Sequence, residues 1–165
     1  MHRPPGQRDD AVRGPRSSQG FRARTGPGVR GVIETVLYGP DLDAAERFYG
    51  GVLGLPVVSR VDDLAAVFRV DDDAVLIAFN PAASSVAGRP VPAHGASGPG
   101  HVALRIERSA YSDWLVRLRA ADVAIELEKT WETTPQPAAR SIYIRDPAGN
   151  SVELLTGDIW PSAGR

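Results

Sequence analysis

The sequence predicts an α+β fold made of two βαβββ modules, and three observations carry that prediction. A strand, a helix and three strands can be read twice in the same order. A Pro/Gly/Ser-rich run at residues 81–99 separates the two readings. The 165 residues, 42% of them hydrophobic, suffice for one packed domain and are too few for two ordinary ones. The expected organisation is a tail over residues 1–30, a first module over 31–80, a connecting loop over 81–99, a second module over 100–160 and a short tail over 161–165.

The first module opens on GVIETVLYG, residues 31–39, which reads as a strand with Val32, Glu34, Val36 and Tyr38 on one face and Ile33, Thr35 and Leu37 on the other. Both faces are largely apolar, yet a carboxylate, Glu34, stands at the centre. GPDLDAAERFYGGVLGL follows as a helix, with Asp41 as N-cap, Leu42, Ala45, Tyr49 and Val52 as its apolar stripe, and Gly50, Gly51 and Gly54 as its stop. Strands are expected at PVVSRV, LAAVFRV and AVLIAFN, separated by Asp-rich turns. The run after them is expected to form a loop or lid.

In the second module GHVALRI is a strand, and SAYSDWLVRLRAAD a helix with Tyr111, Trp114, Leu115, Leu118 and Ala121 at helical spacing. Three more strands are expected at VAIELEK, ARSIYIR and NSVELLT, the last two joined by DPAGN, a strong turn signal. A hairpin closed by that turn pairs residues whose numbers sum to 296, which sets Tyr143 opposite Glu153.

Charge and composition remove several classes of function. The net charge of −1 divides into +5 over residues 1–30, from seven Arg against Asp9 and Asp10, and −6 over the rest. The tail has almost nothing to bury and is expected to be disordered. A nucleic-acid arm, a solvated extension, a transit segment and an over-called start are all compatible with it; scattered arginines without interleaved aromatics argue against nucleic acid as a partner. Absence of cysteine excludes disulfides, thiolate metal sites and cysteine nucleophiles, so a metal would need His, Asp or Glu. No apolar run approaches the length of a membrane span and no hydrophobic leader is evident, so no membrane partner and a cytoplasmic location are expected. No phosphate-cradling loop, Ser-His-Asp arrangement or paired-carboxylate glycosidase pattern can be found.

What remains is one imidazole or carboxylate amid apolar neighbours on each of three strands: Glu34, His101 and Glu153. Isolated carboxylates are costly in a dry interior, so these groups should be paired, hydrated or metal-bound. Alternatively, Glu34 pairs with Arg105 and Glu153 faces solvent. Tyr143 is a candidate hydrogen-bond donor to substrate, Arg105 a candidate for an anionic group, and His94 a loop candidate. Trp131 and Trp160 could line a cavity mouth or a subunit seam, whereas Trp114 belongs to the core.

Together, DLDAAERFYGGVLGL, GHVALRI and IRDPAGNSVEL, in this order, resemble the vicinal oxygen chelate superfamily of glyoxalases, bleomycin resistance proteins and extradiol dioxygenases. The resemblance covers about residues 31–160. It implies that the paired modules form a cupped mixed sheet around a central cavity, with one divalent metal per site, a small-molecule substrate and a homodimer. By position the family's first ligand, usually histidine, falls on Glu34, the second on His101 and the carboxylate near the chain end on Glu153. A fourth ligand found in many glyoxalases has no counterpart in VLIAF. Exchange of an imidazole for a carboxylate suits hard or borderline ions, among which Mn, Fe, Ni, Zn and Mg are not distinguished, and moves the set away from the two-histidine, one-carboxylate triad of oxygen-activating iron enzymes.

The implied function is metal-dependent isomerase, lyase or group-transfer chemistry on a small oxygenated substrate, with the metal as Lewis acid. Glu34 or Glu153 could then serve as base, beside Tyr143. An extradiol-type dioxygenase and a non-catalytic drug-sequestering protein are the alternatives. Modules could pair within one chain or between subunits, in which case Glu34 would meet His101 of another copy.

Overall fold

A computed structural model describes residues 27–132 and 138–160. The expected tails therefore lie largely outside the described residues. Arg30–Trp160 form one compact unit.

The chain runs β1 (Glu34–Tyr38), α1 (Leu42–Ala45) continuing as a π-helical turn (Glu46–Val52), β2 (Val57–Val61), β3 (Ala65–Asp71), β4 (Ala74–Phe79) and α2 (Pro81–Ser84). The second half follows as β5 (His101–Ile106), a 3₁₀ turn (Arg108–Ala110), α3 (Tyr111–Ala120), β6 (Ile125–Trp131), β7 (Ala139–Arg145) and β8 (Ser151–Thr156). Hydrogen bonding gives two four-stranded mixed sheets of the same order, β1-β4-β3-β2 and β5-β8-β7-β6. In each, the first strand lies parallel to the last, and the last three strands form an antiparallel meander. This is the paired βαβββ architecture that the sequence predicts.

Each sheet turns one face to the core. Leu37, Ala66, Phe68, Leu76 and Ala78 of the first sheet, and Val102, Leu104, Ile142, Ile144, Val152 and Leu154 of the second, join a single apolar cluster. Leu42, Phe48 and Tyr49 from the first helix and Tyr111 and Leu118 from α3 complete it. Because strand side chains alternate, the positions between these residues point to the opposite face, where Glu34, His101, Tyr143 and Glu153 fall.

Three local expectations need correction. The first strand is shorter than residues 31–39: Val32 and Ile33 are 73% and 71% exposed, and Glu34 is the exposed first residue of β1 rather than its buried centre. Gly50 and Gly51 do not stop the first helix, which continues through them as a π turn. The wider turn brings the adjacent rings of Phe48 and Tyr49 inward together, edge-to-face at 5.0 Å. Arg117 of α3 then donates to the carbonyls of Val52 at 2.6 Å and Gly51 at 3.3 Å, supplying acceptors at the helix end with partners. Finally, the segment after β4 is not irregular throughout, since Asn80 caps one helical turn with Pro81 at its start. The Asp41 cap forms as expected, its carboxylate accepting from the Ala44 amide at 2.8 Å.

The DPAGN turn does more than reverse the chain. Asp146 accepts from the amides of Ala148 and Asn150 and from the phenol of Tyr49. Asn150 accepts from the Gly100 amide at 2.7 Å and donates to the Tyr38 carbonyl at 3.0 Å. A side chain at Gly100 would stand 2.7 Å from Leu37 and 3.2 Å from Asn150, so glycine permits this close approach. The turn thereby ties the second module to the first. No helix among the described residues is long and apolar enough to cross a membrane.

Candidate functional site

The non-core face of the second sheet carries a connected set of polar side chains. Register places Ala103 beside Glu153 and Tyr143 opposite it, the pairing expected from the hairpin count. Glu153 is only 4% exposed although it is a carboxylate on a strand. Solvent therefore does not explain it, and its partners must.

Both carboxylate oxygens are engaged. Oε1 accepts a hydrogen bond from the Ser141 hydroxyl, and Oε2 stands 3.5 Å from Nε2 of His101. Ser141 is fully buried and also accepts from Nε1 of Trp131 at 2.8 Å. The His101 ring stacks beside Tyr143 at 6.4 Å between centroids, with its outer side open to solvent. Burial, and then a hydrogen bond to the neighbouring Glu153 carboxylate, push the Tyr143 phenol above the ordinary tyrosine range.

The remaining sequence candidates lie elsewhere. Glu34 has no ion-pair partner among the described residues, and the alternative pairing with Arg105 does not form. Arg105 instead donates to the Gly157 carbonyl at 3.1 Å. His94 sits at the far end of the first sheet, with Nδ1 2.8 Å from the Tyr38 hydroxyl and its ring edge-on to Phe79 at 4.6 Å. Trp160 is exposed, and Trp114 packs half-buried against the core. Ser141 escaped the sequence reading. Its one signal was position, two residues before Tyr143 and so on the same strand face.

The geometry of His101 and Glu153 suits a divalent cation. Two donors each about 2.1 Å from an ion at tetrahedral angles stand roughly 3.4 Å apart, close to the observed 3.5 Å. Among the described residues of one chain, however, no group of three His, Cys, Asp or Glu side chains forms. One chain brings two of the three expected ligands together and leaves Glu34 apart.

A family model described as the Glyoxalase/Bleomycin resistance protein/Dioxygenase superfamily matches residues 31–154. The chain belongs to this superfamily. Among solved structures of similar fold, a lactoylglutathione lyase from Agrobacterium tumefaciens is 37% identical, with 81% of this chain and 98% of that one covered and a TM-score of 0.73. A glyoxalase/dioxygenase from Nostoc punctiforme shares 22% identity over 84% of this chain and 99% of that one, with a TM-score of 0.60. The fosfomycin resistance protein FosX from Mesorhizobium loti shares 18% over 82% and 96%, with a TM-score of 0.53. The latter two likenesses concern the fold. No curated protein matches the chain.

Proposed function

We propose that this superfamily member is a metal-dependent lyase or isomerase acting on a small oxygenated substrate, working as a cytoplasmic homodimer. The observation that carries the reading is the convergence of His101 Nε2 and Glu153 Oε2 at 3.5 Å on the non-core face of the second sheet. Glu34 of a second copy would complete a three-residue ligand set. The exposed Val32 and Ile33 that precede it support burial of this segment against another chain.

A divalent metal bound there would supply Lewis acidity toward a substrate carbonyl or a pair of adjacent oxygens. The protein's own residues would do the rest. Tyr143, whose phenol is hydrogen-bonded to Glu153, would turn its one hydrogen to a substrate oxygen. Trp131 would wall the site, and Glu34 or Glu153 would move the proton. Arg105, which donates to the Gly157 carbonyl, and His94, at the far end of the first sheet, take no part in this reading. The 37% identical lyase makes lactoylglutathione the first compound to assay.

Metal analysis of protein purified without chelator tests the reading. About one divalent metal per site is expected, lost on His101→Ala, together with turnover restored by added metal. Wild-type protein that takes up neither Mn²⁺, Ni²⁺ nor Zn²⁺ would overturn it.

A further inference from the structure

We infer that Ser141, oriented by Trp131, is a positioning residue that fixes Glu153 to offer a single oxygen to the metal; this rests on the metal site proposed above. The directions of the two hydrogen bonds follow from the groups themselves. An indole N–H can only donate, so the Ser141 oxygen must accept from Trp131. The hydroxyl has one hydrogen, and it goes to Glu153 Oε1, because an ionised carboxylate can only accept. Oε1 is thereby committed to the protein, and Oε2 faces His101, with the Tyr143 phenol also hydrogen-bonded to the carboxylate.

The placement makes the arrangement rigid. Ser141 and Glu153 are 0% and 4% exposed, so water cannot readily substitute for the hydroxyl. The three residues come from β6, β7 and β8, with Trp131 paired to Ala139 and Tyr143 paired to Glu153 across the ladder. Sheet geometry, not side-chain flexibility, sets the distance. Carboxylate ligands are oriented by partners of this kind, and loss of such a partner commonly weakens metal binding about 10- to 100-fold. A freed carboxylate would also rotate and offer both oxygens, changing the coordination as well as the affinity.

Calorimetric titration of the full chain with Zn²⁺, together with metal-loaded minus metal-free infrared difference spectra in the carboxylate region, separates the possibilities. Wild type should bind about one Zn²⁺ per site. Ser141→Ala, which removes only the hydroxyl, should keep the stoichiometry, bind roughly 10-fold more weakly and narrow the separation of the two carboxylate stretching bands. Ser141→Thr restores the hydroxyl on a strand-favouring residue and should recover affinity to within about 3-fold. Trp131→Phe keeps an aromatic ring, though a smaller one, but not the N–H, and should fall between. Equal affinity in wild type and Ser141→Ala would overturn the inference, as would equal loss in the Ala and Thr variants. Failure of wild type to bind Zn²⁺, Mn²⁺ and Ni²⁺ alike would instead sink the metal reading, and this inference with it.

Discussion

The phenol of Tyr49 donates to the carboxylate of Asp146 at 2.8 Å across 97 positions of sequence. The bond joins the π turn of the first module to the last hairpin of the second. Burial, and then the Asp146 charge beside it, raise the Tyr49 pKa far beyond the ordinary tyrosine value of 10.0. Above about pH 10 the unfolded chain therefore releases a proton that the folded chain keeps, and stability declines as pH rises. Tyr49→Phe removes this contribution. Denaturant midpoints should fall by the equivalent of about 1 kcal/mol at pH 7, while the decline above pH 10 becomes shallower by up to about 1.4 kcal/mol per pH unit. An unchanged alkaline slope in the variant would refute the assignment.

Asn150 is the second member of this junction. Its side chain accepts from the Gly100 amide and donates to both the Tyr38 carbonyl and Asp146. Asn150→Ala deprives the Gly100 amide and the Tyr38 carbonyl of their side-chain partner at a position that is 2% exposed, and each unsatisfied buried group costs about 1–3 kcal/mol. A loss of about 3 kcal/mol is expected in urea unfolding, and no smaller a loss for Asn150→Asp, whose carboxylate keeps the acceptor for Gly100 but would face the Asp146 carboxylate and the Tyr38 carbonyl with no hydrogen to give them. A near-neutral Asn150→Ala would show that the DPAGN segment matters only as a turn.

These two residues also show where sequence reading works and where it stops. The period-2 pattern of ARSIYIR and NSVELLT, with a turn of known length between, was enough to pair Tyr143 with Glu153. Local chemistry was likewise enough for the Asp41 cap. Local pattern could not show that Asp146 and Asn150 reach back to Tyr49 and Tyr38, nor that Arg117 would carry the first helix past its glycines, because those partners lie 65 to 112 positions away. Ser141 was hidden for a related reason. A serine in a strand has no signature until the residue beside it on the sheet is known. Glu34 was legible as an odd residue in an apolar strand, but its place at the exposed start of β1 depended on where pairing with Val75 begins.

The separation of Glu34 from His101 and Glu153 makes the subunit arrangement testable by mixing. Suppose each site takes Glu34 from one copy and the other two ligands from its partner, as an isologous twofold dimer allows. Glu34→Ala and His101→Ala homodimers then both lack a complete site. A hybrid of the two contains one site with both defects and one with neither, because the His101→Ala chain still supplies Glu34 and the Glu34→Ala chain still supplies His101. Random exchange in an equal mixture makes about half the dimers hybrid, so roughly a quarter of all sites should regain wild-type Zn²⁺ affinity. Recovery should appear only after subunits exchange, for example on mild denaturation and refolding together, and should stop near that fraction. If the modules pair within one chain instead, every site in the mixture keeps one defect and no recovery occurs under any condition of exchange.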